Sequence, residues 1–234
     1  LVANGRVIPP GTYPNASALG HENVRGDFPL VIHGTGGTTP DLFLPRITIL
    51  KESPQVVNAR KSGRWDRPET WEGPMPTRAR HDQNGLTVPP IDYRVPDGIT
   101  INGTYDPRGL EYFGGNSLTL EKGSILEPEG NVGFLAFTEL RLAGGTVRFG
   151  TRHSLFAREL IGGRFIIEAP TLFRLPDLPH LQPKDFIIQG EITGDQPILI
   201  RGDREEFVYL NADTSGFSGQ WKIFEGSLTT LRND

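Results

Sequence analysis

The chain has no cysteine and a single methionine. Without thiols, neither disulfides nor thiolate metal ligands can hold it together, so its stability must come from burial and hydrogen bonding. No apolar run approaches the roughly 18 residues that a membrane-spanning helix needs. No segment shows the i, i+3, i+4 spacing of a long amphipathic helix. Lys and Arg number 24 against 28 Asp and Glu, a net charge of −4. With no basic cluster, that balance argues against nucleic acid as a partner. The histidines are scattered as His21, His33, His81, His153 and His180, and no two have the spacing of a metal-binding pair on one element. A G-x-S-x-G elbow is also missing. Gly34-Thr-Gly36-Gly37 follows a strand-like stretch at 28–33, but neither a helix nor Gly-Lys-Ser/Thr comes after it. It reads as a wide turn rather than a phosphate cradle. No metal and no cofactor is expected.

Glycine and proline are plentiful, at 29 and 20 residues, and they punctuate short alternating stretches of Leu, Ile, Val and Phe. From Ser117 to Thr230 the same form recurs: an apolar–polar strand, a glycine or glycine pair, and a second such strand. Gly123, Gly145, Gly163 and Gly190 mark the hinges, roughly twenty to twenty-five residues apart, a solenoid-scale period. Alternation turns one face of each strand inward. Glycine suits a corner where a side chain would obstruct the backbone. The expected inward set is Leu118, Leu120, Leu140, Leu142, Leu160, Ile166, Ile188 and Ile223. A coiled ribbon of strands, each rung covering the next, satisfies all of this.

The segment 213–231 resembles the strand–turn–strand repeat of bacterial autotransporter passengers. Gly216, Gly219, Ile223, Gly226 and Leu228 occupy the positions that match, and Trp221 stands where that repeat has a small polar residue. The resemblance implies a right-handed parallel β-helix and an exported, cell-surface or secreted, location. It implies no activity, because passengers of that fold include adhesins, enzymes and inert stalks. Trp65, Pro68, Thr70, Trp71 and Pro76, followed by a Pro96–Gly98 turn, resemble the glycine-rich domain of secreted and cell-surface β-helix proteins. The two tryptophans can serve as plugs over an exposed rung end, or as a platform for a sugar ring.

Two polar groups stand out. Arg148 and Arg158, at alternating strand positions, can form an outward basic stripe with Arg152 and His153 nearby. Arg174, Asp177, His180 and Asp185 lie on or beside the longest interruption of the repeat, where inserts of solenoids often carry function. Together with Trp65 and Trp71 they make the ligand-binding set: Trp65, Trp71, Arg148, Arg158, Arg174, Asp177, His180 and Asp185. No catalytic residues are assigned.

The reading is an all-β protein, a right-handed parallel β-helix with an irregular N-terminal β cap. Residues 1–90 form the capping region and 91–234 the coil, which reads as cut short at its C-terminus within a larger parent chain. The expected function is a secreted or cell-surface module acting in adhesion, carbohydrate contact or as a structural surface element. The alternative is a polysaccharide-degrading lyase or glycoside hydrolase of the same fold, so enzymatic activity stays open. Polysaccharide or other surface proteins are the expected partners, with homo-oligomerisation also open, no nucleic acid and no membrane span.

Overall fold

A computed structural model describes residues 55–80, 87–88, 90–103, 110–128, 133–149, 158–175, 185–202, 207–225 and 227–230. It also describes short strands at 2–3, 6–7, 11–13, 24–25, 30–32 and 48–49. The chain is a parallel β-helix. Nearly every strand pairs in parallel with the strand one coil earlier and one coil later, in a 12-stranded and an 8-stranded sheet. No helix among the described residues is long and apolar enough to cross a membrane.

Each coil has three faces. The first runs through Leu110–Gly114, the leading half of Gly133–Ala143, and the corresponding parts of Arg158–Ala169, Asp185–Gly194 and Phe207–Asp213. The second comprises Gln55–Asn58, Ile91–Val95, Ser117–Glu121 and the trailing halves of the long strands. The third is the shorter sheet: Gly63–Arg64, Thr100–Asn102, Ile125–Glu127, Thr146–Arg148, Thr171–Arg174, Ile198–Arg201 and Trp221–Glu225. Leu110–Gly114 and Ser117–Glu121 both align on Gly133–Ala143. What is a break at Gly115-Asn116 in one coil is therefore a bend within a continuous strand in the next.

The hinge glycines occupy two different corners. Gly123 and Gly145 lie between the second and third faces, whereas Gly163 and Gly190 lie between the first and second. The column Phe137, Gly163, Gly190, Ala212 runs along that latter corner. Gly163 and Gly190 have φ of 130° and 120°, values that side-chain-bearing residues rarely adopt. A Cβ on Gly163 would strike the carbonyl oxygen of Phe137, and one on Gly190 that of Gly163. Glycine is thus required there both by conformation and by the close approach of successive rungs.

The core is a set of registered columns. Leu118, Leu140, Phe165 and Ile192 stack on the second face, and Ile101, Leu126, Val147, Phe173, Ile200 and Ile223 on the third. All are buried. Of the expected inward set, Leu118, Leu120, Leu140, Leu142, Ile188 and Ile223 point in, but Leu160 and Ile166 do not. Ile161, Phe165 and Ile167 take the interior instead. Residues 160–161 and 166–167 are adjacent apolar pairs, so alternation alone cannot choose between the two phases. The register of Ile161 with Leu135, and of Phe165 and Ile167 with Leu140 and Leu142, decides it.

The coil's parallel pairing begins at Gln55–Asn58 and Gly63–Arg64, within the stretch expected to be cap. Capping is divided between the two ends. Residues 65–80 close the first rung, with Thr77–Arg80 running antiparallel to Leu110–Gly114. The N-terminal strands Val24–Arg25 and Leu30–Ile32 add in parallel to Trp221–Glu225 and Ser227–Thr230, at the opposite end.

Gly190→Ala should lower stability by at least about 2 kcal/mol, from strain at positive φ plus displacement of a backbone carbonyl. Gly98→Ala is the matched control: its φ is also positive, at 74°, but nothing lies within 4 Å of the added methyl. It should cost only about 1 kcal/mol. Denaturant midpoints of the two variants measure the difference.

Candidate functional site

The segment from Trp65 to Trp71 folds as a compact knot. Pro68 opens the 3-10 turn Pro68–Thr70, where its fixed φ fits and its missing N–H costs nothing. The buried Thr70 hydroxyl donates to the Arg64 carbonyl at 2.9 Å, and the Trp71 indole N–H donates to the Trp65 carbonyl at 2.8 Å. Trp71 bridges back to Ala59. The rings interlock with the first coils: Trp65 to Phe113 at 5.4 Å, Trp71 to Tyr93 at 4.9 Å and Tyr93 to Phe113 at 5.3 Å. Trp65 and Trp71 are only 0% and 1% exposed. Neither offers a face to a sugar, so both leave the ligand-binding set and stand as plugs. Trp65 Nε1 and Tyr93 Oη are buried without a hydrogen-bond partner.

The corner between the first and second faces is held by polar side chains. Asp92 Oδ1 accepts from Asn116 Nδ2 and Ser117 Oγ, each at 2.7 Å. One coil later Thr138, at the register shift between Phe137 and Glu139, bonds to the Tyr112 hydroxyl, and its Oγ1 donates to the Gly115 carbonyl at 3.0 Å. Burial pushes the Tyr112 phenol up to about 12, with the Thr138 bond pulling slightly the other way. Burial alone raises the Tyr93 phenol further.

Outward side chains form charged columns of two kinds. On the second face Glu139, Arg164 and Glu191 succeed one another in register. Arg164 lies 3.6 Å from Glu139 and 3.7 Å from Glu191, and Arg141 sits between Glu139 at 2.6 Å and Glu168 at 2.7 Å. Partial burial works against the Arg141 charge, but the bond to Glu168 and the charge of Glu139 outweigh it and raise its pKa. Signs alternate from rung to rung, so this face satisfies itself.

On the third face arginines stack on one another, and Glu225 follows Arg201 in register. Arg148, Arg174 and Arg201 lie on consecutive strands in direct register. Glu127, on the preceding strand, clamps Arg148 through two bonds, to Nε at 3.2 Å and Nη2 at 2.6 Å, while the Arg148 side chain stays 36% exposed. Beside this column on the same face run Thr146, Leu172 and Leu199, all partly exposed.

The structure therefore aligns Arg148 with Arg174 and adds Arg201 and Glu127, which the sequence reading had not singled out. The signal was present: the arginines recur at nearly the coil's own period, each directly after an inward-pointing strand centre, Val147, Phe173 or Ile200. Arg158 is not part of this column. Its strand lies on the first face, in register with Asp185. Asp177, His180, His153 and Arg152 lie outside the described residues, as do His21, His33 and His81. Among the described residues no group of three or more His, Cys, Asp and Glu is placed to hold a metal. No family model matches the chain, and no match is found among curated proteins or solved structures.

Trp71→Ala should destabilise the fold by about 3–5 kcal/mol as a core truncation, seen in the thermal or denaturant transition. Added oligosaccharide should leave the tryptophan fluorescence of the folded wild-type protein unchanged if Trp65 and Trp71 are plugs.

The two buried tyrosines give a sign to the alkaline limb. Their folded pKa values lie above the ordinary 10.0, so the neutral phenols favour the folded state. That contribution is intact below pH 10 and is lost as pH rises towards 12. Phenolate absorbance followed alongside unfolding should show Tyr112→Phe removing part of the loss.

Proposed function

We propose that this protein is a secreted or cell-surface β-solenoid whose outer faces make contacts with carbohydrate, so that it acts in adhesion or as a structural surface element. The observation that carries the reading is the third face: a parallel sheet with its outward arginines and its outward leucines each aligned coil upon coil. Parallel registration converts one residue choice per coil into a linear array at the rung spacing of about 4.8 Å. A linear array suits an extended, repeating partner better than a compact small molecule, which binds in a concave pocket. The similarity of 213–231 to passenger repeats supports display outside the cell.

The direct test is twofold. Antibody labelling of intact cells of the source organism should detect the protein at the surface or in the medium. Purified protein should be retained in affinity electrophoresis through a panel of neutral and uronic polysaccharides, while the chain length of each polysaccharide stays constant. A protein confined inside intact cells, or one that binds none of the panel, overturns the proposal. Shortening of any polysaccharide makes it a degrading enzyme instead.

A further inference from the structure

We propose that the N-terminal rung, Val24–Arg25 with Leu30–Ile32, is exchanged between copies of this chain: each copy donates it to the last coil of another, so that copies join head to tail. The proposal is independent of the carbohydrate reading above. It starts from what the last coil needs. In chain order the coil ends with Trp221–Glu225 and Ser227–Thr230, yet Trp221 and Ile223 are buried. An open solenoid end would leave its apolar layer in water and its strand edges unpaired. Val24 stands in register over Trp221, and Val31 and Ile32 over Thr229 and Thr230. Gly11–Tyr13 then runs antiparallel along Leu30–Ile32 and ends the longer sheet. Whichever chain supplies these strands, the end is covered.

The hold on the rung is slight. Among the described residues each of its two parallel strands pairs over two positions, against ten between Arg158–Ala169 and Asp185–Gly194. The register also sets Arg25 opposite Lys222. Like charges on facing positions of adjacent strands repel.

Sequence order and spatial order disagree within one chain. The rung precedes the first coil in sequence but follows the last coil in space. Thr48–Ile49 pairs with Thr87–Val88, just ahead of Ile91–Val95. That strand stands seven strand spacings from Leu30–Ile32, about 34 Å. Residues 33–47 connect the two regions, and a connection of that length reaches at most about 54 Å. The path therefore closes within one chain. Between two copies placed one after the other along the coil axis, the same rung sits on the last coil of the copy before and leads on to its own first coil. The two orders then agree. A tethered rung returns to its own coil in dilute solution, and a second copy competes once protein approaches the effective concentration of the tether, on the order of millimolar. The contact is heterologous, so it does not close at two copies.

The chain has no cysteine, so introduced thiols report alone. Val31→Cys and Thr229→Cys fall on facing register positions. Treated with a short bis-maleimide, the doubly substituted protein should give a cross-linked monomer when dilute. At about 1 mM it should give a ladder of dimers, trimers and longer chains. Mixing the two singly substituted proteins should yield a covalent pair, in clear excess over Thr229→Cys mixed with Lys122→Cys, whose thiol is exposed at a corner. Arg25→Glu sets opposite charges at the facing position and should slow pairing of the mixed proteins about fivefold. Thermal melting of each variant confirms an intact fold.

Mixed proteins that pair no better than the control, or a doubly substituted protein that stays a cross-linked monomer at every concentration, overturn the exchange. Absence of any cross-link overturns the placement of the rung itself. A ladder that stops at two overturns the head-to-tail chain in favour of a reciprocal swap. A pairing rate indifferent to Arg25→Glu overturns release of this rung as the controlling step. None of these outcomes depends on polysaccharide binding, so this proposal and the carbohydrate reading fail separately.

Discussion

Parallel backbone pairing between successive coils is the constraint on which the rest of this structure depends. It stacks each rung on the last at one fixed spacing and leaves no freedom to slip by one residue without turning the core outward. The tightest expression of it is the corner column Phe137, Gly163, Gly190 and Ala212, where the backbone of one coil lies against the carbonyl of the next. The inward columns of Leu, Ile and Phe follow from that closeness, since each must fill the space directly above its predecessor. So do the outward columns, where the same geometry makes either an alternating ion network or a run of like charge.

The three-faced cross-section follows from what stands at the corners. Where the second face turns into the third, Gly123 and Gly144 adopt positive φ and the chain turns within a few residues. Where the first meets the second, the earliest coil breaks at Gly115-Asn116 and the later ones bend in mid-strand. Asp92, Asn116, Ser117, Tyr112 and Thr138 bond the break and the first of the bends together. At Gly163 and Gly190 glycine itself accepts the conformation of the bend.

Much of the architecture was legible in the sequence. Absence of helical periodicity, alternating strands and recurrent glycines led to a parallel β-helix, which the structure shows. Trp65 and Trp71 read as plugs over a rung end, and both are buried against the first coils. What escaped was phase and alignment. Leu160 and Ile166 look as fit for the interior as Ile161 and Ile167, and only contact with the neighbouring coil separates them. Likewise Arg148, Arg174 and Arg201 stand far apart in the chain, and only the pairing between coils shows that they share one column. Arg158 looked like a partner of Arg148 because it is nearby in sequence, yet a corner intervenes and puts it on another face. Of the other residues singled out on the insert, Asp177 and His180 lie outside the described residues.

The tryptophan knot also gives the molecule a direction. In a stack where each layer touches only its neighbours, loosening starts at whichever terminal layer is held least firmly and spreads inward. Here one terminal layer is locked by interleaved rings of Trp65, Trp71, Tyr93, Phe113 and Phe137. The other is covered, among the described residues, by the short strands Val24–Arg25, Leu30–Ile32 and Gly11–Tyr13. Amide protons should therefore exchange first around Trp221–Glu225 and last around Ile91–Val95. A pull applied at the two ends of the coil should peel it from the end that these short N-terminal strands cover, one coil at a time, towards the knot.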